Sequence, residues 1–425
     1  MTNTTSPPIL NSSSPTVSLS PFRNLTEEFK KATRIIRNRL GNANDLSQEI
    51  FFLGDGIQRA AVDRLFELLQ PCTWSPAGLA RMSSNTLSEG LQVARFFAPG
   101  QTSYLSWLEL ENKLEVFLLV QNLPSILGLS AVKPAPLPEL VQKAYSLSPF
   151  AALWGVEGLG HYYTDTYWDL NGQPEGLLSP SRAAVPEKSL LMLHAGMGLA
   201  FAYRLLSGLM PQSPPAQVRE TVGRFITLCR ANSREGCLGA AIESLGLVTR
   251  DFYPEMVRSI SQSLAEADPH LSGSFWHGVG RALYFSRAYF LPMLRTPWSA
   301  VDREGSTNPQ RLNLMSGLAW AVTLVNMRHP RVMENILNTY VQQSGLEEAF
   351  ADGVSSSILM RTDTTPGSPF ISQFCSYQPV AEKGDAKELW NRLVTAPCER
   401  ALRSCPRLKE GRLRDQIFSY GASLW

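Results

Sequence analysis

The sequence predicts an all-α fold: an array of two-helix repeats of about 38 residues, forming an α-solenoid or a closed α/α toroid. Three observations lead there. Prolines that open amphipathic segments recur at Pro215, Pro254, Pro292 and Pro330, at intervals of 39, 38 and 38 residues. Between them stands a second recurring segment with a polar-small-x-small core. No alternating strand pattern of comparable strength accompanies them.

The proline marker has a direct physical meaning. Proline at the first helical position occupies a site whose N–H has no intrahelical partner, and its φ is already helical. After Pro254, residues Met256, Val257, Ile260 and Leu264 share one helical face. The unit after Pro292 is expected to be irregular, because Pro297 interrupts it.

The small-residue marker runs through VEGLGHYYTDTY (156–167), HAGMGLAFAYRLL (194–206), IESLGLVTRDFY (242–253), HGVGRALYFSRAYF (277–290), SGLAWAVTLVNM (316–327) and DGVSSSILM (352–360). The register is Gly158, Gly196, Ser244, Gly278, Gly317 and Gly353, with fainter echoes at Asp55-Gly56 and Glu89-Gly90. Glu235-Gly236 competes in the third unit, but I-E-S-L-G parallels V-E-G-L-G more closely. Glycine inside a helix costs about 1 kcal/mol relative to alanine, so its recurrence needs a packing reason. Small residues two to four apart let neighbouring helices approach closely. These segments are therefore expected to be the crowded helices, and the proline-started ones a second layer.

Residues 1–25, rich in Ser, Thr, Asn and Pro, read as a disordered leader without the basic start or apolar block of a secretory signal. Residues 26–361 form the expected repeat domain, with loops at 133–149, 171–186 and 302–309, and 362–425 a C-terminal capping segment with one helix near 384–404. The apolar stretch Leu114 to Val132 is broken by Glu115, Gln121, Asn122 and Pro124, so no membrane span is expected.

With 425 residues, 44% of them hydrophobic, the chain can bury a large core. Its 39 Lys+Arg against 37 Asp+Glu lack the basic excess of a bulk nucleic-acid binder. Cys72, Cys229, Cys237, Cys375, Cys398 and Cys405 contain no C-x-x-C, which suits reduced thiols in a cytoplasmic protein.

The residue before the small position is mostly polar: Asp55, Glu89, Glu157, Glu243, His277, Ser316 and Asp352. If equivalent positions stack, these side chains line one surface, either as the polar contacts of an apolar cavity or as groups satisfying helix starts. His277 lies between Trp276 and Gly278 with Arg281 one turn on, and His161 is followed by Tyr162 and Tyr163. A histidine there suits acid–base work, although a core histidine with one hydrogen bond is the commoner case. The candidate ligand-binding set is Glu157, His161, Glu243, Trp276, His277, Arg281 and Asp352. No H-x-x-x-H pair, phosphate loop or dinucleotide fingerprint occurs, so neither metal nor cofactor is expected.

The segments CLGAAIESLGLVTRDFYPEMV (237–257) and FWHGVGRALYF (275–285), with VEGLGHYY (156–163) and LHAGMGLAFA (193–202), resemble an uncharacterised bacterial family found alongside enediyne-type polyketide biosynthesis. Gly278, Gly280, Arg281, Leu283, Tyr284 and Phe285 carry the Gly-x-Gly-Arg-x-Leu-aromatic-Phe pattern, and the likeness covers about residues 150–290. The resemblance implies a soluble bacterial protein of natural-product assembly and supplies no catalytic residues. The expectation is a protein binding a hydrophobic intermediate in an aromatic-lined cavity, with isomerisation or cyclisation left open. The alternative is a non-catalytic scaffold holding a protein partner or carrier domain on a concave helical surface.

Overall fold

A computed structural model describes residues 101–129, 135–181, 184–286, 291–292, 295–342, 344–379, 384–409 and 414–421. The expected leader at 1–25, the echoes at Asp55-Gly56 and Glu89-Gly90, and Cys72 lie outside the described residues. The described residues are helical, with no strand among them.

In chain order the helices are α1 (Gln101–Leu127), α2 (Leu137–Tyr145), α3 (Pro149–Asn171), α4 (Leu190–Leu206), α5 (Pro215–Asn232), α6 (Leu238–Phe252), α7 (Val257–Ala267) and α8 (Ser272–Phe285). There follow α9 (Thr296–Glu304), α10 (Asn308–Asn326), α11 (Pro330–Ile336), α12 (Glu347–Thr364), α13 (Pro369–Ser376), α14 (Gly384–Trp390) and α15 (Ala396–Lys409). A π-turn, Leu337–Val341, extends α11, and another, Asn391–Thr395, joins α14 to α15.

Local chemistry sets the starts. Pro149, Pro215 and Pro330 each open a helix, and Ser148 caps α3 by accepting from the Ala151 N–H. Thr307 and Gln310 form a reciprocal capping box on α10. Pro254 opens a single 3₁₀ turn before α7. Pro292 lies in a turn and opens no helix; the helix of that unit begins at Thr296 with Pro297 in its first turn, so the unit is irregular as the sequence suggested. Two expected loops are shorter than anticipated: α2 occupies most of 133–149, and α9 runs into 302–309 as far as Glu304. Helix α12 passes the expected domain boundary at 361 and ends at Thr364.

Helices α3, α4, α6, α8, α10 and α12 pack in that order, each on the next, and α15 packs on α12. These are the small-residue segments, and α6, α8, α10 and α12 are buried nearly all round. Helix α5 is different. It buries one stripe, Val218, Val222, Phe225, Ile226 and Cys229, and rests against α4 and α6, while α7 packs on α5, α6 and α8. Neighbours in the row run the same way. Near the start of α8, Gly273 faces Asn313 of α10, whereas at its end Tyr284 meets Asn326 at the end of α10.

The register explains the packing. A methyl group at Gly196 would collide with the Glu157 carbonyl, one at Gly278 with that of Glu243, one at Gly317 with that of His277, and one at Gly353 with that of Ser316. In the remaining step the Ser244 hydroxyl donates to the Ala195 carbonyl at 2.7 Å. Small residues two apart lie about 200° apart around a helix, so the second one faces the following helix. Accordingly Gly160 abuts the Leu193 carbonyl, Gly198 that of Ala241, Gly246 that of Phe275 and Gly280 that of Leu314. The third unit therefore follows Glu243-Ser244, not Glu235-Gly236.

One described segment, Glu187–Leu206, is long and apolar enough to cross a membrane, but 78% of its apolar window is buried inside the protein. Its composition reflects contact with neighbours on both sides.

These crossings make opposite predictions for chemically identical changes. Gly278→Ala and Gly317→Ala should each lower stability by about 3 kcal/mol, because backbone rather than a flexible side chain must move. Gly223→Ala, in α5 with open space around it, should raise stability by about 0.5–1 kcal/mol. Chemical denaturation of the three variants decides. Equal effects would remove the close-crossing argument.

Candidate functional site

The crossing geometry carries the residue before each small position inward. Glu157 of α3, Glu243 of α6, and His277 and Arg281 of α8 meet there, although α4 separates α3 from α6 along the row. The Arg281 guanidinium donates to both Glu157 carboxylate oxygens, at 2.6 and 2.7 Å, and to Glu243 Oε2 at 3.2 Å. His277 Nδ1 stands 3.6 Å from Glu243 Oε1. Glu243 and His277 are fully buried, and Glu157 and Arg281 retain 3% exposure each.

Aromatic rings close round this group. Arg281 lies 5.0 Å from the Trp320 ring centre and 6.0 Å from that of Trp154. The His277 ring meets Trp320 and Phe418 edge-to-face at 5.9 and 5.7 Å. Several polar atoms have no hydrogen-bond partner among the described residues: both ring nitrogens of His277, Glu243 Oε1, Arg281 Nε and the indole nitrogens of Trp154 and Trp320. Buried polar atoms are rarely left so, and a cluster of them is a site candidate.

The two carboxylates differ electrostatically. Burial pushes the Glu157 carboxyl above its ordinary value despite Arg281. At Glu243 burial acts the same way, but Arg281 and His277 outweigh it and hold the carboxyl low. Arg281 alone is one positive charge against two carboxylates. Carboxyls tuned apart beside a histidine can store and pass a proton.

The structure places the other sequence candidates elsewhere. Asp352 of α12 accepts a hydrogen bond from Ser316 of α10 at 2.8 Å, a separate pair one step along the row. Trp276 is buried edge-on against Phe275, turned about 100° round α8 from His277. His161 is partly exposed: its Nε2 sits 3.0 Å from Asp165 and its ring stacks on Tyr203. Arg204 holds the other Asp165 oxygen at 2.6 Å. His194 is structural, with Nδ1 on the Leu190 carbonyl and Nε2 accepting from the Arg234 N–H. Burial brings its pKa down to about 4, so it stays neutral.

Sequence reasoning missed a second buried network. Tyr284 donates to Glu109 at 3.0 Å and accepts from Asn326 at 2.8 Å, while Asn112 donates to Asn326 at 3.1 Å. Lys113, buried beside Glu109 and over the Tyr284 ring, has its pKa drawn down to about 8 by burial. Tyr284 follows His277 and Arg281 at i+7 and i+4→i+7 spacing, so α8 presents all three on one face. That spacing was readable in the sequence; Glu109 and Lys113, an i,i+4 pair of the kind common on solvated helices, gave no such signal.

Among the described residues no group of three His, Cys, Asp or Glu is placed to hold a metal ion. No known family model matches the chain, and neither a curated protein nor a solved structure gives a significant match.

Replacing Arg281 by Met strands two carboxylates in an apolar interior and should cost about 3–5 kcal/mol. Adding Glu157→Gln and Glu243→Gln to that variant should recover most of the loss in a denaturation series. A triple variant no more stable than the single one would mean packing, not charge, dominates.

Proposed function

We propose that the chain is an array of two-helix repeats whose interior cluster binds a hydrophobic small molecule during bacterial natural-product assembly. The observation that carries this reading is the convergence of Glu157, Glu243, His277 and Arg281, from three helices, beside Trp154, Trp320 and Phe418. The sequential packing of α3, α4, α6, α8, α10 and α12, with α5 against α4 and α6 and α7 against α6 and α8, supports the repeat. The resemblance of residues 150–290 to proteins found alongside enediyne-type polyketide biosynthesis supports the setting. In this reading the protein is cytoplasmic, the aromatic rings hold a conjugated hydrocarbon chain, and Arg281 and Glu243 fix its polar end. Proton transfer between His277 and the ligand would then drive isomerisation or cyclisation.

A second reading, a non-catalytic scaffold for a protein partner, draws support from the exposed apolar side chains Leu170 and Phe252 near the ends of α3 and α6.

A conjugated tetraene fatty acid, whose fluorescence rises in apolar surroundings, tests the ligand reading. The wild type should bind it, and Glu243→Gln and His277→Ala should keep their circular dichroism yet weaken binding about tenfold, the loss of one buried polar contact. Folded variants that bind like wild type would favour the scaffold. Variants that unfold would make the cluster structural.

A further inference from the structure

The end of the chain does not stand apart from the helices as a simple cap. Residues 414–420 cross the beginnings of α6, α8 and α10. Asp415 Oδ1 accepts from the Gly239 N–H at 2.9 Å, capping α6, whose own N-cap residue Cys237 makes no side-chain cap. Ser419 lies against Gly273 at the start of α8. The Tyr420 N–H donates to Asn313 Oδ1 of α10 at 2.7 Å. Arg414 reaches Glu187, just before α4, at 3.3 Å. Between these ties Ile417 and Phe418 are buried, and the Phe418 ring rests on His277 and Trp320.

We propose that residues 414–420 are the gate of the interior cluster, with Phe418 the plug that a ligand must displace to reach His277 and Glu243. The inference rests on the ligand reading above for its purpose, but its geometry stands alone. His277 is buried on α8 with Phe418 covering its ring, and the cover belongs to a short strap rather than to a packed helix. Among the described residues the strap is held by the polar ties of Arg414, Asp415 and Tyr420 and by two apolar side chains, whereas α6, α8 and α10 are gripped along their whole length. An element with so few attachments opens locally at much smaller cost than the fold as a whole. The apolar plug also suits the ligand class: a hydrophobic guest and the Phe418 ring compete for the same face of Trp320 and His277, so entry exchanges one apolar contact for another.

Diethyl pyrocarbonate, a small reagent that acylates neutral imidazole, reports the gate without any ligand, read by mass spectrometry residue by residue. In the wild type His161, with 31% of its side chain exposed, should be modified while His194 and His277 are protected. In Phe418→Ala, His277 should react about tenfold faster, with His194 still protected as the report of an intact fold. Asp415→Ala, which releases the α6 tie and leaves the plug in place, should give a smaller acceleration in the same direction. Should Phe418→Ala lose His194 protection, Phe418→Leu and Asp415→Ala decide in its place. A protected His277 in the folded variants overturns the gate, as does a wild-type His277 that reacts as fast as His161. Because no ligand enters the experiment, the gate and the ligand reading fail separately.

Discussion

Everything in this molecule depends on how closely its central helices cross. At each crossing a glycine or serine of one helix sits on a backbone carbonyl of its neighbour, and the next small residue but one does the same toward the opposite side. A side chain as small as a methyl group fits none of the glycine positions. The intrinsic cost of glycine in six helices, about 1 kcal/mol each, is offset by dispersion contacts and short C–H···O approaches that only bare Cα atoms permit. The constraint is local but repeated, so it fixes the rotation of every helix in the row about its own axis.

That rotation decides what the interior contains. The residue before the small position supplies the carbonyl on which the next helix rests. On α3, α6 and α8 that residue is Glu157, Glu243 and His277, and Arg281 follows one turn later. Burying two carboxylates is expensive, and an arginine with a five-donor fork is the side chain best suited to hold both. Proteins seeking stability alone do better with apolar residues at such places. In the proposed reading this charged, aromatic-walled cluster, whose His277 ring nitrogens make no hydrogen bond among the described residues, receives a guest.

Much of this was legible in the sequence, because small-residue periodicity is imposed by backbone contact and leaves an unambiguous mark. The helices, their register at Ser244 rather than Gly236, and the inward course of Glu157, Glu243, His277 and Arg281 all follow from it. What was not legible depends on curvature and on distant pairing. Nothing in the spacing separates Asp352, paired with Ser316, from Glu243, because both occupy the same register position. His161, three residues past Gly158, faces outward by a rotation the motif does not mark. Trp154, Trp320 and Phe418 come from elements 98 to 264 residues apart in the chain, and the strap that carries Phe418 has no periodicity to announce it. The irregular unit after Pro292 follows from Pro297 as expected: Pro292 lies in a turn, and the helix begins only at Thr296.

The central claim is that His277 is poised toward a guest rather than committed to the protein. A crystal structure at a resolution that defines ordered solvent tests it directly. The account predicts the Arg281 fork between Glu157 and Glu243, and water or ligand density bonded to a His277 ring nitrogen. A His277 ring turned so that both nitrogens bond protein groups, as those of His194 do, would contradict it and make the cluster part of the core.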